Sequence, residues 1–250
     1  MTNKKIWHEP LLWVSGILIA GAIGCTVFLA VRILNVSEEA APPYMIREGN
    51  DDFPYLLRAD ATEYQIELFD QLIESRGRFE DNDTPATTQA YAQAVVKSFI
   101  VDFFTWSNKS DRADIGGLQF IAPSIRQHVR GLATDEFYLY LNQYLETFGP
   151  EGVLEVRGIT IEETDLDAIW QIPLPPQEES EEGGLDDVQE AMYEELEVIR
   201  IRASWQYAPT AITLQEEFQQ EGVFYLIRER GHLRIQALFE IENGGDLYVH

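Results

Sequence analysis

An uncharged stretch of 21 residues near the start of the chain, residues 11–31, restricts the fold more than any other feature. As an α-helix rising about 1.5 Å per residue, it reaches roughly the 30 Å thickness of a bilayer core. Trp13 and Arg32 lie near its two ends, where aromatic and basic side chains anchor helices at the membrane interface. The sequence predicts a short tail at residues 1–10 and a transmembrane helix at residues 11–34.

Two other interpretations of this stretch are weaker. A cleaved signal peptide has an apolar segment of about 7–15 residues, shorter than the one found here. Residues 22–25, which end in Cys25, resemble the small-residue pattern before a bacterial lipoprotein cysteine. The apolar run continues after that cysteine, however, and the leucine that usually begins the pattern is missing. Cys25 is the only cysteine in the chain, so an intrachain disulfide is excluded.

Small residues recur along one side of the predicted membrane helix. Gly16, Ala20 and Gly24 are spaced four residues apart, which places them on one stripe where a second helix can approach closely. We expect helix–helix contact there, in a homo-oligomer or with another membrane protein. The alternative is that glycine and alanine are simply common in transmembrane helices.

The basic residues that set membrane orientation are evenly divided. Lys4 and Lys5 precede the apolar stretch, and Arg32 and Arg47 follow it. Because Arg32 lies at the edge of the helix and residues 37–39 carry no basic side chain, we expect the short tail to be cytoplasmic. The chain is therefore predicted to be a single-pass protein of the cell membrane with its soluble domain outside the cytoplasm.

The soluble part carries the charge of the chain. The formal charge of −25 comes from 43 acidic and 18 basic residues, and almost none of the acidic residues lie in the first 35 positions. Such a domain repels nucleic-acid phosphates, so we expect no direct nucleic-acid binding. Basic proteins and cations are the partners that this charge favours.

The first half of the soluble part has helical patterns. Residues 35–53 contain turn-forming residues and no apolar period, which predicts a tether. A helical extension at residues 54–83 contains a helix over residues 61–75, which Gly77 and residues 80–83 are expected to end. Thr84 as N-cap and Pro85 at the first helical position begin a second helix, which runs to about Trp106.

Two shorter helices are predicted next. One covers residues 123–130 and ends at Gly131. Thr134 is expected to cap the other, because apolar residues follow it at helical spacing up to Phe148, before Gly149. We interpret this apolar stripe as core and not as a cofactor site.

After Pro150 the period of the apolar residues changes from 3.6 to 2, which indicates strands. Apolar residues between positions 154 and 161 share one face only if Gly158 forms a bulge. A second strand is expected at residues 168–174. An acidic loop at 177–195, with a helical turn near 188–193, separates it from later strands.

The remaining strands have clear alternation. A strand at residues 198–207 has one apolar and one polar face, and residues 223–228 and 233–241 form a hairpin around Gly231. Helices followed by an antiparallel sheet indicate an α+β domain over residues 84–250.

The motifs of catalytic and metal chemistry are missing from the sequence. No histidine among His8, His128, His232 and His250 has a second ligand at metal-binding spacing. No nucleophile elbow, phosphate-binding loop or dinucleotide fingerprint occurs. We therefore expect a protein that is not an enzyme, with no catalytic residues, no metal and no cofactor. The acidic pairs of the loop at 177–195 suit a solvated loop better than a calcium site, and whether the loop binds cations or a partner stays open.

Two segments resemble a known family. Residues 90–106, AYAQAVVKSFIVDFFTW, form a long helix that ends in aromatic residues, and residues 223–241, VFYLIRERGHLRIQALFEI, form the closing hairpin. Behind a single membrane helix, this layout resembles the bitopic nuclear-transport-factor-two-like scaffold subunits of bacterial conjugation and type IV secretion systems, of the kind found in Gram-positive conjugative elements. The layout match covers residues 85–241. Residues 44–78 and the long acidic loop are additions to the family pattern.

The resemblance implies a cone-shaped domain in which helices pack on a curved antiparallel sheet. It also implies a scaffold that oligomerises and contacts other subunits of the secretion channel. Two alternatives stay open: an accessory subunit of another envelope transport system, such as a lipid-transport assembly, and a small-molecule enzyme on the same fold. The enzyme would need a deep pocket lined by a carboxylate of raised pKa.

Overall fold

The computed structural model describes residues 44–45, 55–173, 193–212, 218–239, 241–242 and 245–246. The predicted membrane helix at 11–34, with Gly16, Ala20 and Gly24, lies outside these residues. So do most of the predicted tether and the acidic loop as far as residue 192. No helix among the described residues is long and apolar enough to cross a membrane.

The first described helix, α1, comprises Glu63–Asp81. It begins with a capping box, in which Thr62 and Gln65 bind each other's backbone N–H. The sequence predicted a helix over residues 61–75, which is too short because α1 continues through Gly77 and ends at Asp81, within the predicted stop at residues 80–83. A glycine inside a helix costs about 1 kcal/mol relative to alanine, whereas burying a phenylalanine such as Phe79 contributes roughly 1.5–3 kcal/mol.

Helix α2, Pro85–Phe103, is the central element of the core. Its predicted start is confirmed, because Thr84 accepts the Thr87 N–H in a second capping box and Pro85 occupies the first turn. Its apolar side is buried. The helix ends before the predicted Trp106, whose N–H donates instead to the Leu154 carbonyl at 2.7 Å.

The two shorter helices differ from the prediction. Helix α3, Pro123–Asp135, passes through Gly131 and buries Ala133 beyond it. Thr134 is not an N-cap, because it lies inside α3 and its hydroxyl donates to the Arg130 carbonyl at 2.9 Å. Helix α4 is shorter than predicted, Leu141–Phe148, and follows a turn at residues 136–140.

Eight strands are described. They are β1 Tyr44–Met45, β2 Leu57–Arg58, β3 Val156–Pro173, β4 Tyr193–Tyr207, β5 Glu221–Glu229, β6 His232–Phe239, β7 Ile241–Glu242 and β8 Gly245–Asp246. Strands β3 to β6 form an antiparallel sheet in the order β3-β4-β5-β6, while β1 pairs with β2 and β7 with β8. Strand β1 lies within the predicted tether. The α+β class is therefore confirmed.

Strand β3 joins two strands that the sequence predicted separately. It pairs with β4 along its whole length but contains three register shifts, between Val156 and Gly158, Ile161 and Glu163, and Asp165 and Ala168. The bulge predicted at Gly158 is confirmed. Each shift adds one residue to β3 relative to β4, so the side chains that face the core change from odd to even positions or back. The alternation of apolar and polar residues is therefore not continuous along β3.

The other predicted strands are confirmed, although their ends differ from the prediction. Strand β4 has the predicted alternation, with Ile201, Ala203 and Trp205 buried. It begins at Tyr193, so the end of the predicted acidic loop, and the end of its predicted helical turn, belong to a strand. The β5–β6 hairpin is confirmed, with Glu229 opposite His232 across a two-residue turn.

Aromatic rings fill the space between α2 and the sheet. Phe99 meets Phe224 of β5 with ring centroids 5.9 Å apart, and Phe104 meets Trp205 of β4 at 4.4 Å. Helix α1, predicted as part of an extension, contributes Leu72 to the same buried cluster. The core thus lies between α2 and one face of the sheet, and α1 packs against α2.

Replacing a glycine by alanine should raise stability at two positions and lower it at a third. At Gly77 and Gly131 an added Cβ meets no atom within 4 Å, so each change should stabilise its helix by about 0.5–1 kcal/mol. At Gly116 the added Cβ would lie 2.1 Å from the Asp102 carbonyl oxygen, so Gly116→Ala should destabilise the protein strongly. Urea unfolding of the full-length variants measures both effects, and an unchanged midpoint for Gly116→Ala would contradict the close approach.

Candidate functional site

An open cleft of about 570 Å³ lies where the end of α1 meets the β5–β6 turn. Its lining residues are Arg76, Phe79, Glu80, Asp83, Arg228, Arg230, Gly231 and His232. The lining thus contains three arginines and two carboxylates. With His232 neutral, the cleft has a formal charge of about +1, although the whole chain has a charge of −25.

Arg76 is the most buried cation of the cleft. Its side chain is 5% exposed, whereas that of its partner Glu80 is 51% exposed. The Glu80 carboxylate accepts hydrogen bonds from Nε and Nη2 of Arg76 at 2.8 and 2.6 Å. Glu80 lies one helical turn after Arg76, so continuation of α1 beyond Gly77 is what forms this pair.

Arg228 is held between an acid and a ring. Asp83 lies in the link between α1 and α2. Its carboxylate accepts hydrogen bonds from Nη1 of Arg228 at 2.5 Å and from Nη2 at 3.3 Å. The guanidinium carbon lies 5.0 Å from the centroid of Phe79, within the range of a cation–π interaction. Hydrogen bonds from Arg228 and from the Thr88 hydroxyl hold the pKa of Asp83 below its usual range.

The turn between β5 and β6 has a left-handed backbone. Arg230 has a φ of 51° and Gly231 a φ of 81°, as a two-residue type I′ turn requires at both of its central positions. Glycine, asparagine and aspartate adopt this conformation most readily. Arg230 is the only residue other than glycine with a positive φ in the described part of the chain.

Two buried tyrosines lie next to the cleft. The Tyr91 ring packs 5.2 Å from Phe79, and the Tyr91 hydroxyl is 3.0 Å from the Tyr55 hydroxyl. Tyr55 donates to the Leu233 carbonyl at 2.8 Å, and Arg234 lies over the Tyr55 ring at 5.2 Å. Burial raises the pKa of both tyrosine hydroxyls, so they stay protonated at neutral pH.

A second polar cluster is buried away from solvent. Arg58 of β2, 2% exposed, donates to both oxygens of Asp114 at 2.6 and 2.9 Å and to the Asn108 carbonyl at 2.7 Å. Burial disfavours both charges. The hydrogen bonds to Asp114 and Asp60 nevertheless raise the pKa of Arg58, and those from Arg58 and the Ser110 N–H lower the pKa of Asp114.

Asp102 and Lys109 extend this cluster to the end of α2. Lys109 Nζ lies 3.4 Å from Asp102 Oδ1 and donates to Asn108 Oδ1 at 2.9 Å. Asp102 Oδ2 accepts the Gly117 N–H at 2.7 Å. Burial lowers the pKa of Lys109. Because these groups are buried and satisfy one another, the cluster joins segments of the chain and is not a site for a substrate.

The predicted contact residues lie outside the described part of the chain, whereas two histidines, to which the sequence assigned no site, lie within it. His128 is exposed on α3, whereas His232 lines the cleft. Gly16, Ala20 and Gly24, and the acidic pairs between 178 and 187, lie outside the described residues. Within the described ranges, no three His, Cys, Asp or Glu side chains are grouped to hold a metal ion.

Sequence reasoning missed the arginines of the cleft. Arg228 and Arg230 alternate with Glu229 just before the turn glycine, a basic group in an acidic chain, and this was the available signal. Arg76 lies about 150 positions earlier, so only the fold brings it to the turn.

Exposed apolar side chains are most frequent in one stretch of the described sequence, residues 132–148. Seven large apolar residues of the described chain are at least about one-third exposed, and four of them lie between positions 132 and 148. These four are Leu132, Leu139, Tyr140 and Phe148. We call this stretch the α3–α4 apolar surface.

The chain matches no protein-family model, no curated protein and no solved structure.

Replacing Asp114 tests the buried ion pair. Asp114→Asn leaves Arg58 with a weaker partner in a buried position, so stability at pH 7 should fall by about 3 kcal/mol. The pKa of Asp114 is lowered in the folded state, so its contribution is present above the unfolded value of about 4 and is lost as the pH falls through the folded value. The difference between the two proteins should therefore shrink below pH 4.

Urea unfolding at pH 7 and at stepwise lower pH measures this effect. Asp167→Asn, at an exposed position of β3, is the matched control and should change stability by less than about 0.5 kcal/mol. An equal small effect of the two substitutions at pH 7 would show that the Arg58–Asp114 pair does not stabilise the fold.

Proposed function

We propose that this protein is a non-enzymatic, membrane-anchored scaffold subunit of a conjugative DNA-transfer channel of the type IV secretion kind. One helix at residues 11–34 anchors it in the cell membrane, and the domain at residues 84–250 acts outside the cytoplasm through protein–protein contacts. Its partners are other channel subunits and further copies of the same chain. It takes no cofactor and does not itself bind nucleic acid.

The order of the elements supports this proposal. Helices precede a four-stranded antiparallel sheet, and α2 packs on one face of that sheet. The three bulges of β3 bend a strand, as the curved sheet of a cone-shaped, nuclear-transport-factor-two-like domain requires. The two segments that carry the resemblance, residues 90–106 and 223–241, are the central helix with its aromatic end and the closing hairpin.

The observation that carries the proposal is the filled interior. In an enzyme built on a cone-shaped fold, substrate enters the space between the helices and the sheet. Here Phe99, Phe104 and Trp205, each no more than 2% exposed, occupy that space. Buried aromatic rings at contact distance leave the surface as the place of action, which favours a protein that works by binding other proteins.

The α3–α4 apolar surface is where we place the contact with a channel partner. Exposed apolar side chains favour association because a partner removes them from water. Aromatic residues are also frequent among those that dominate binding energy, and Tyr140 is 59% exposed. The rival proposal, an accessory subunit of another envelope transport system, uses the same surface and differs in the partner that it recruits.

Affinity purification from native membranes distinguishes the partners. We expect the tagged full-length chain, extracted in mild detergent, to bring down the ATPases and channel subunits of a conjugation system, identified by mass spectrometry. Leu139→Ser combined with Tyr140→Ser should reduce their yield while the melting temperature changes little. Ile169→Ser, at a residue 58% exposed on β3, is the matched control and should leave the yield unchanged.

Recovery of components of a different transport system would instead support the rival proposal. A solitary protein in the eluate would contradict both.

The small-residue stripe gives a separate prediction. Replacing Gly16, Ala20 and Gly24 together by leucine should weaken helix–helix contact, because bulky side chains keep the backbones apart. Crosslinking in native membranes should show less oligomer for this variant than for the control Ala22→Leu, which lies off the stripe. Equal crosslinking yields would rule out the stripe as a contact.

A further inference from the structure

The cleft is lined by more basic than acidic side chains, although the chain as a whole is strongly acidic. Arg76 from α1 and Arg228 and Arg230 from the β5–β6 hairpin line one cleft, although acidic residues outnumber basic ones by 43 to 18. Glu80 and Asp83 each engage one arginine. In the described part of the chain, no ion pair or hydrogen bond engages the guanidinium of Arg230. The cleft therefore has a guanidinium in excess of its acids.

The backbone at Arg230 is a second, independent observation. A side chain in the left-handed region is costly unless the residue is glycine, asparagine or aspartate. Arg230 occupies the first central position of the type I′ turn, where asparagine would fit better, and its side chain lines the cleft. A residue that is unfavourable for the turn but supplies a cation to a cleft indicates selection for binding, since strained backbone is concentrated at functional sites.

The other two arginines are held in position before any ligand arrives. Arg76 is buried and doubly hydrogen-bonded to Glu80, and Arg228 is held between Asp83 and the Phe79 ring. An arginine has five N–H donors, and Asp83 engages only the two terminal nitrogens of Arg228. Ordering a flexible arginine on binding costs conformational entropy, so restraint of this kind favours binding.

We propose that this cleft binds a compact oxyanion, a ligand that presents a phosphate or a carboxylate group to Arg76, Arg228 and Arg230. Guanidinium groups recognise both kinds of oxyanion through paired, charge-assisted hydrogen bonds. The ligand is compact because about 570 Å³ suits a small molecule or a single acidic group. A long polyanion would extend from the cleft over a protein of charge −25, which repels it. The site does not depend on the proposed scaffold function.

The decisive variant is Arg230→Asn, because binding and stability should change in opposite directions. Without ligand, the melting temperature should rise by about 2 °C, since asparagine fits the left-handed turn better. Titration calorimetry of the full-length protein with inorganic phosphate and, separately, with malonate, at constant ionic strength, should show binding of at least one anion to the wild type. The dissociation constant should rise about tenfold in the variant.

Arg112→Asn removes the same charge from an exposed loop outside the cleft and is the matched control. It should leave anion affinity unchanged. Tighter binding of phosphate would identify a phosphate-bearing ligand, and tighter binding of malonate a carboxylate-bearing one. The proposal is overturned if the wild type binds neither anion at millimolar concentration, or if Arg230→Asn and Arg112→Asn weaken binding equally.

Discussion

The ion pair between Arg58 and Asp114 holds together parts of the chain that share no secondary structure. Arg58 belongs to a two-residue strand and Asp114 to the loop after α2, and both are buried. Separating two buried charges is costly because each is left without water and without its partner. Asp102 continues the cluster by accepting the Gly117 N–H, so the loop is tied to α2 as well. Gln65 of α1 also joins the cluster by accepting from Asn108, so the loop is tied to α1 too.

In the described part of the chain, a buried polar cluster and packed aromatic rings fill the interior, and the candidate cleft opens at the surface. The rings around Phe104 and Trp205 exclude solvent between helix and sheet. Arginines, by contrast, lie where α1 and the hairpin meet solvent. In the described residues, the buried cluster and the packed rings are thus separate from the arginines of the cleft. Such a division is consistent with the proposed role as a component of an assembly.

Local signals predicted the elements that depend on local interactions. The capping threonine at 84, the alternation of β4 and the glycine of the hairpin turn each act within a few residues. The failures occurred where distant contacts outweighed a local preference: Phe79 and Ala133 are buried beyond glycines that would otherwise end their helices. The part that Arg76 plays in the cleft could not be predicted for the same reason, because no period in the sequence relates Arg76 to residues 228–232.

The bulges of β3 have a consequence for how copies of the protein meet. In the described sheet, β3 is an edge strand of 18 residues, long enough to template pairing with another chain. Three register shifts interrupt its ladder, and the acidic side chains of Glu162, Glu163, Asp165 and Asp167 accompany them. An irregular and like-charged edge resists strand-by-strand addition. An edge of this kind is a poor template for β-aggregation.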